Sequence, residues 1–175
     1  MTAITPIRRD GEADQTSWET SEAFRSGMRR LASGVSIITG GTAAAPVGMV
    51  ATAVCSVSIE PPTLLVSISR TASAYPTIEA SGRLCVNVLG AGHDDLISRF
   101  TAPDRRAERF TGAAWRLRPD APPVLDNALA AFDCRVVERF SYATHVIFFA
   151  RPEKVLVGGG DPLIHFDRGF HRLDS

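Results

Sequence analysis

Residues 47–70 read V-G-M-V-A-T-A-V-C-S-V-S-I-E-P-P-T-L-L-V-S-I-S-R, and this stretch decides the fold. Two apolar, β-branched runs flank Pro61-Pro62, whose fixed φ and missing N–H groups predict a rigid turn between two strands. Small residues in the first run, including Gly48, Ala51 and Ser56, leave its backbone uncovered. Two interpretations follow: a flat ligand or a phosphate approaches this backbone, or another layer of the protein packs tightly on it.

Strands and short helices are predicted on both sides of this stretch. Phe24, Met28 and Leu31 lie at i, i+4 and i+7, which predicts an amphipathic helix ending at Gly34. Further helices are predicted over 73–82 and 93–100, and strands over 35–39, 83–89, 128–140, 144–157 and 163–166. Because the later strands follow one another directly, we expect a mainly β fold, an antiparallel closed or half-closed barrel with a few short helices.

Composition restricts the possible functions. The 175 residues carry 19 basic and 19 acidic side chains, so no net charge attracts nucleic acid or an anionic membrane. The run Arg105, Arg106, Arg109 is interrupted by acidic residues and is interpreted as a solvated face. No stretch is apolar for long enough to be a signal peptide or a membrane span. The three cysteines, Cys55, Cys85 and Cys134, are odd in number and none is paired at metal-ligand spacing, so we expect buried, reduced thiols in the cytoplasm.

The chain is expected to form one domain over residues 18–175, preceded by a flexible arm over residues 1–17. The histidines His93, His145, His165 and His171 are not spaced as ligands of a shared metal, so no metal site is predicted. The run G-A-G-H-D-D from Gly90 imitates the start of a dinucleotide fingerprint. No parallel strand follows it, so the run is not interpreted as a phosphate-binding loop. His145, within T-H-V-I-F-F, is either a buried histidine held by a backbone carbonyl or a functional group.

An ordered series of segments resembles the short-chain flavin reductases, the reductase partners of two-component flavin-dependent monooxygenases. The series is F-R-S-G-M-R-R-L-A-S-G-V-S-I-I-T, the small-residue stretch, I-E-A-S-G-R-L-C-V-N-V-L, a helix ending in S-R-F, then R-F-T-G, T-H-V-I-F-F and P-L-I-H-F-D-R-G. Together these cover nearly everything from Phe24 to His171. The resemblance implies an FMN-binding split β-barrel with a Greek-key-like antiparallel topology.

The resemblance also implies a site. It places a flavin, FMN or FAD, along the small-residue strand, a phosphate near hydroxyl side chains at a helix start, an Arg-Phe pair closing the site, and a terminal segment contacting NADH or NADPH. The implied cofactor-binding residues are Val47, Gly48, Met49, Val50, Ala51, Thr52, Ala53, Ser67, Ser69, Ser73, Arg99, Phe100, His165, Phe166, Arg168 and Gly169. His145 matches a histidine near the nicotinamide and is the implied catalytic residue, expected to orient that ring or balance charge.

Two departures from the family pattern bear on function. Ala143-Thr144 stands where Gly-Asp usually precedes the histidine, and Val50 and Ala53 stand where hydroxyl residues are common. The first expected function is reduction of diffusible flavin by NAD(P)H, with the flavin handed to a separate oxygenase. The alternative is a flavoprotein of the same fold that retains its flavin as an electron-transfer or binding module. The resemblance further implies a homodimer with the site near the interface, Trp18 and the first helix being candidates for contact.

Overall fold

The computed structural model describes residues 18–112 and 115–173, so the arm expected over residues 1–17 lies outside the described part. Three α-helices span Trp18–Met28 (α1), Tyr75–Ser81 (α2) and Asp94–Thr101 (α3), and a 3₁₀ helix spans Pro103–Glu108. The strands are β1 Ser33–Gly34, β2 Ser36–Thr42, β3 Ala45–Ala51, β4 Val54–Ile59, β5 Pro62–Ser69, β6 Arg83–Val88, β7 Trp115–Arg116, β8 Val124–Leu125, β9 Ala130–Tyr142, β10 His145–Val157, β11 Leu163–Phe166 and β12 Gly169–Arg172. Within these ranges, no helix has both the length and the apolarity needed to cross a membrane.

Seven strands form one antiparallel sheet in the order β3-β2-β6-β9-β10-β5-β4. Its two edge strands, β3 and β4, are consecutive in the chain and are joined only by Thr52 and Ala53. The sheet therefore curls so that its edges meet at this link without a continuous ladder between them. This mainly β architecture is the expected split barrel. A second sheet, β1-β11-β12, lies beside it.

The sequence predicts a single strand between Val47 and Pro61, and this prediction is wrong. The backbone turns at the two-residue link, where the Val54 amide donates to the Thr52 carbonyl (3.0 Å) and the Ser67 amide donates to the Ala53 carbonyl (3.0 Å). The chain thereby leaves the β2 ladder and joins the β5 ladder. The predicted turn between the two apolar runs is confirmed, since Glu60 and Pro61 form the turn and Pro62 begins β5.

The core lies on both faces of the sheet, as β6 illustrates. Leu84 and Val86 pack into one cluster with β5 and β10, while Cys85 on the opposite face packs into a second cluster with α3. All three side chains are fully buried. A layer of protein thus covers each face of this strand. The expected burial of the cysteines holds for Cys85 and Cys134 but is wrong for Cys55 on β4, which is exposed.

The first helix differs from its prediction. It ends at Met28 instead of continuing to Gly34, and the apolar face formed by Phe24, Met28 and Leu31 is exposed by 66%, 49% and 58%. In the described part of the chain, this face packs on neither core cluster. The sequence period therefore identified the helix correctly but not what its apolar face contacts.

The region between α3 and β9 contains the 3₁₀ helix and the β7–β8 ribbon and is anchored by aromatic residues. Phe100, Phe110 and Trp115 form a three-ring cluster with centroid separations of 5.3, 5.8 and 5.2 Å. The cluster packs against the α3 side of the core. It fixes the 3₁₀ helix and the β7–β8 ribbon relative to the barrel.

Candidate functional site

The small residues of β3 are explained in part by packing. A Cβ on Gly48 would lie 2.5 Å from a ring carbon of Phe100 and 3.3 Å from one of Phe110. No side chain fits there unless these rings move, so the close-packing interpretation applies to Gly48. Along the same strand, Val47, Met49 and Ala51 contribute to the β5–β10 core cluster. Val50 packs against the α3 cluster, while Thr52 and Ala53 are exposed at the link.

The β5–β10 ladder brings three of the predicted site residues together. Ser69 is the cross-strand partner of His145, and Ser67 is the partner of Ile147. Because directly paired residues point to the same side of a sheet, Ser67, Ser69 and His145 share one face. The intervening residues Ile68 and Val146 are fully buried on the other face. The shared face is therefore the outer face of the barrel, and the Ser67–Ala53 hydrogen bond connects it to the link.

His145 stands at the start of β10, directly after the β9–β10 turn, and is exposed. The interpretation as a buried histidine held by a carbonyl is therefore wrong. Its Nδ1 lies 2.9 Å from the hydroxyl of Thr144, the residue that departs from the family pattern. In this chain the hydroxyl of Thr144 therefore contacts the ring nitrogen, at the position where the resemblance implies an aspartate carboxylate. The Nε2 atom has no hydrogen-bond partner within the described ranges, so it is available to a ligand.

A cleft of about 80 Å³ lies between β3, the start of α2 and the 3₁₀ helix. It brings the predicted residues Val47, Gly48 and Ser73 together with Arg106 and Arg109. These two arginines are functional candidates that the sequence interpretation missed, because their acidic neighbours suggested a solvated face. Their closeness to the small-residue strand depends on contacts far apart in the chain.

The carboxylates near this cleft are occupied by other arginines. Asp95 pairs with Arg99 (2.5 Å) and Arg105 (2.9 Å), and Glu108 pairs with Arg105 (2.7 Å). Among residues 18–112 and 115–173, no carboxylate pairs with Arg106 or Arg109. The cleft therefore carries two uncompensated positive charges, which favours an anion.

Arg109 is held in place by the C-terminal end of α3. Its guanidinium donates to the Arg99 carbonyl (3.3 Å) and the Phe100 carbonyl (3.0 Å) and lies 5.6 Å from the centre of the Phe100 ring. Burial lowers the pKa of Arg109, and the positive charge of Arg106 lowers that pKa further. An arginine remains protonated at neutral pH after such a shift. The lowered pKa thus reflects a positive charge that a bound anion would stabilise.

The predicted Arg-Phe pair serves packing in the described structure. Arg99 donates to the carbonyls of Thr111 and Glu108 and pairs with Asp95, so it fastens the segment after the 3₁₀ helix onto α3. Phe100 is 5% exposed, within the aromatic cluster. Both residues support the wall that carries Arg109, and direct contact with a cofactor stays a prediction for each of them.

The terminal segment lies in the separate β1-β11-β12 sheet. His165 pairs with Ser33 and Phe170 across the ladder. Asp167 forms an ion pair with Arg30 (3.4 Å), Arg168 follows it in the β11–β12 turn, and Gly169 begins β12. Among the hydrogen bonds and ion pairs of the described residues, none joins this hairpin to His145 or to the Arg106–Arg109 cleft. The structure therefore brings together two groups of predicted residues, whereas no hydrogen bond or ion pair of the described residues links either group to His165, Phe166, Arg168 and Gly169.

The protein is thus a split barrel with a positively charged cleft and an exposed histidine on its outer face. The family model "Flavin reductase like domain" matches residues 28–174. The chain belongs to this flavin reductase family.

Individual relatives agree with this. The chain is 44% identical over 151 residues to "FMN reductase (NADH) RutF" of Variovorax paradoxus, covering 86% of this chain and 84% of that protein. A homolog of nitrilotriacetate monooxygenase component B from Mycobacterium thermoresistibile superimposes with a TM-score of 0.79 at 27% identity, covering 88% of this chain and 87% of that one. The styrene monooxygenase flavin reductase from Pseudomonas putida S12 superimposes with a TM-score of 0.75 at 25% identity, covering 87% and 97%.

Proposed function

We propose that this protein is an NADH-dependent FMN reductase that releases reduced flavin to a separate oxygenase. The observation that carries the proposal is the cleft of Val47, Gly48, Ser73, Arg106 and Arg109 beside the small-residue strand. Support comes from relatives named FMN reductase (NADH), which are 41–44% identical over most of the chain. The monooxygenase components among the structural relatives support the role of supplying an oxygenase.

The charge of the cleft favours FMN over FAD. FMN ends in a phosphate monoester, which carries close to two negative charges at neutral pH, and two unpaired arginines match that charge. The cleft is much smaller than the roughly 300–1,000 Å³ of a pocket that encloses a whole ligand. We therefore assign it to the phosphate and the nearby ribityl chain, with Ser73 contributing its hydroxyl. The adenylate of FAD would have to extend beyond it.

The remaining residues have binding and positioning roles. Bound flavin supplies the chemistry, which is acceptance of a hydride from the nicotinamide. Ser67 and Ser69 present hydroxyls on the outer face beside the link, where they can orient the flavin. His145, held at Nδ1 by Thr144, presents Nε2 on the same face and can orient the nicotinamide. His145 has no obligatory acid–base role in this scheme, because hydride transfer requires positioning of the two rings about 3–3.5 Å apart.

The outer face is incomplete in a single chain, which favours a homodimer. Phe140 and Tyr142, cross-strand partners of Ile147 and His145, are 44% and 70% exposed on this face. A second exposed apolar surface, the α1 face, is formed by Phe24 and Met28 of α1 together with Leu31 just after the helix. We propose that a second copy covers the α1 face and closes the flavin site from outside. The side chain of Trp18 lies outside what the structure describes, and its part in the interface stays a prediction.

The proposed activity is tested by anaerobic oxidation of NADH with FMN in excess, followed at the flavin absorbance band. We expect many flavins reduced per subunit, slower turnover with FAD or NADPH, and loss of flavin on dialysis. A single turnover with flavin retained after dialysis would instead establish the alternative, a flavoprotein module that keeps its cofactor. His145→Ala should raise the KM for NADH, and an unchanged KM together with an unchanged kcat would contradict the role given to His145.

The phosphate assignment has its own test. Arg106→Met should weaken FMN binding about tenfold while leaving riboflavin binding unchanged, because riboflavin lacks the phosphate. Arg151→Met, which removes an exposed charge on β10 away from the cleft, is the matched control and should change neither. Equal losses for FMN and riboflavin would contradict the assignment.

A further inference from the structure

A second pocket, of about 110 Å³, lies away from the cleft described above. It is enclosed between two ladders. From the β9–β10 ladder come the cross-strand pairs Asp133–Lys154 and Ala131–Leu156, and from the β7–β8 ribbon comes the pair Arg116–Val124. Arg118 completes the wall. Lys154 is nine residues along β10 from His145, which corresponds to about 30 Å of strand.

The pocket combines a positively charged rim with an apolar floor. Val124 and Ala131 are buried and Leu156 is half-buried, so the floor offers three aliphatic side chains. The rim carries Arg116 and Lys154. A ligand that fits both parts has an anionic head and a short apolar body.

The carboxylate in the wall does not cancel this charge. Asp133 is engaged by Arg118 at 2.6 Å and by Arg83 at 3.6 Å, so two arginines already neutralise it. Arg116 pairs with Asp126 at 2.5 Å, so its charge is compensated, although about half of its side chain stays exposed. Lys154 has no ion-pair or hydrogen-bond partner within residues 18–112 and 115–173.

Lys154 is also the only lysine of the chain, since the other 18 of its 19 basic residues are arginines. An ammonium is a compact point charge that binds a single carboxylate oxygen without the planar geometry of a guanidinium. Because Lys154 lies beside the aliphatic floor and pairs with no carboxylate among the described residues, its charge is available to pair with a ligand or to be hydrated by water.

We propose that this pocket binds a short-chain carboxylate of about three or four carbon atoms. The carboxylate pairs with Lys154, whose charge has no partner among the described residues, while Arg116 lies beside it and the alkyl chain lies on Val124, Ala131 and Leu156. The volume sets an upper limit: about 110 Å³ is the liquid volume of roughly four water molecules, so a ligand longer than three or four carbon atoms would extend out of the pocket. Inorganic phosphate fits less well, because some of its oxygens would face the aliphatic floor without a hydrogen bond.

The single lysine provides a direct measurement. Reductive methylation with ¹³C-formaldehyde converts Lys154 into a charged dimethyl-lysine, whose methyl resonance is the only one from a side-chain amine. Titration of the full-length protein with propionate should shift this resonance saturably, with a Kd in the millimolar range. Acetate should bind about three- to fourfold more weakly for the methylene it lacks, and inorganic phosphate more weakly than propionate. Adding FMN should leave the propionate Kd unchanged.

The unmodified protein and its variants are compared by calorimetry with propionate. Lys154→Met keeps most of the aliphatic stem and removes the charge, and it should weaken binding at least tenfold. Arg151→Met removes an exposed charge from the same strand outside the pocket and should change the Kd less than twofold. A linear, unsaturable shift, equal losses in the two variants, equal binding of acetate and propionate, tighter binding of phosphate, or displacement by FMN would each overturn the proposal. These results do not depend on flavin reductase activity.

Discussion

Gly48 tests whether packing or cofactor approach keeps the β3 residues small. In Gly48→Ala the new Cβ would lie 2.5 Å from Phe100 and 3.3 Å from the Ile38 carbonyl oxygen. Phe100 cannot yield easily, because it is 5% exposed and lies against Phe110 and the Arg109 guanidinium. The substitution therefore overpacks a site with little freedom to relax.

The expected cost is about 1–3 kcal/mol of unfolding free energy, which is typical of inserting a methyl group into a packed core. For a domain of this size, that corresponds to a fall in Tm of about 2–4 °C per kcal/mol. The assay is urea and thermal unfolding without flavin. If the clash with Phe100 is the cause, Gly48→Ala should cost at least about 1 kcal/mol less in a Phe100→Leu background.

Gly27→Ala is the matched control. It adds the same methyl group in α1, where no atom lies within 4 Å of the new Cβ, and should leave stability unchanged or raise it by up to about 1 kcal/mol. A Gly48→Ala protein with the wild-type Tm but weakened FMN binding would refute the packing argument. It would show that the glycine serves the approach of the ligand.

Two further predictions concern side chains with shifted pKa values. Burial raises the pKa of the Cys85 thiol and raises that of Cys134 to about 12. At pH 8 an alkylating reagent should therefore modify only the exposed Cys55 of the folded chain. Rapid modification of two or three thiols per chain would contradict this prediction. Burial lowers the pKa of His93, whose Nδ1 accepts a hydrogen bond from the Gly90 amide (3.0 Å). The unfolded chain therefore binds a proton more readily, and stability should fall as the pH drops below 6.5 towards the lowered pKa of the folded state. Urea midpoints at pH 7.5 and 5 should differ less in His93→Asn, and an equal difference would exclude His93 as the cause.

Much of the fold could be predicted because the determining features are local. Gly82 ends α2 in the left-handed region at φ 62°, as the sequence indicated, and α3 begins at Asp94, one residue after the predicted start. The break at Thr52-Ala53 could not be predicted, since β-branched residues continue through it and only pairing with β5 makes the chain turn. The same holds for β12, whose residues pair only because β11 lies next to them.

The candidate site was predictable to a similar degree. Ser69 and His145 could be proposed from the family resemblance, but their position as cross-strand partners depends on the register of the β5–β10 ladder. The sequence indicates a solvated face at Arg106 and Arg109, because acidic residues lie close to them in the chain. In the folded chain, the nearby carboxylates pair with Arg99 and Arg105, and this partition of charge can be seen only in three dimensions.

The single lysine also has a practical consequence. Coupling to an aldehyde- or ester-activated support reacts with side chains only at Lys154, near the end of β10 opposite His145. Molecules attached through this side chain share one orientation, with the predicted flavin face directed away from the support. On an electrode or sensor surface, the molecules coupled through Lys154 would present the predicted flavin face to the solution.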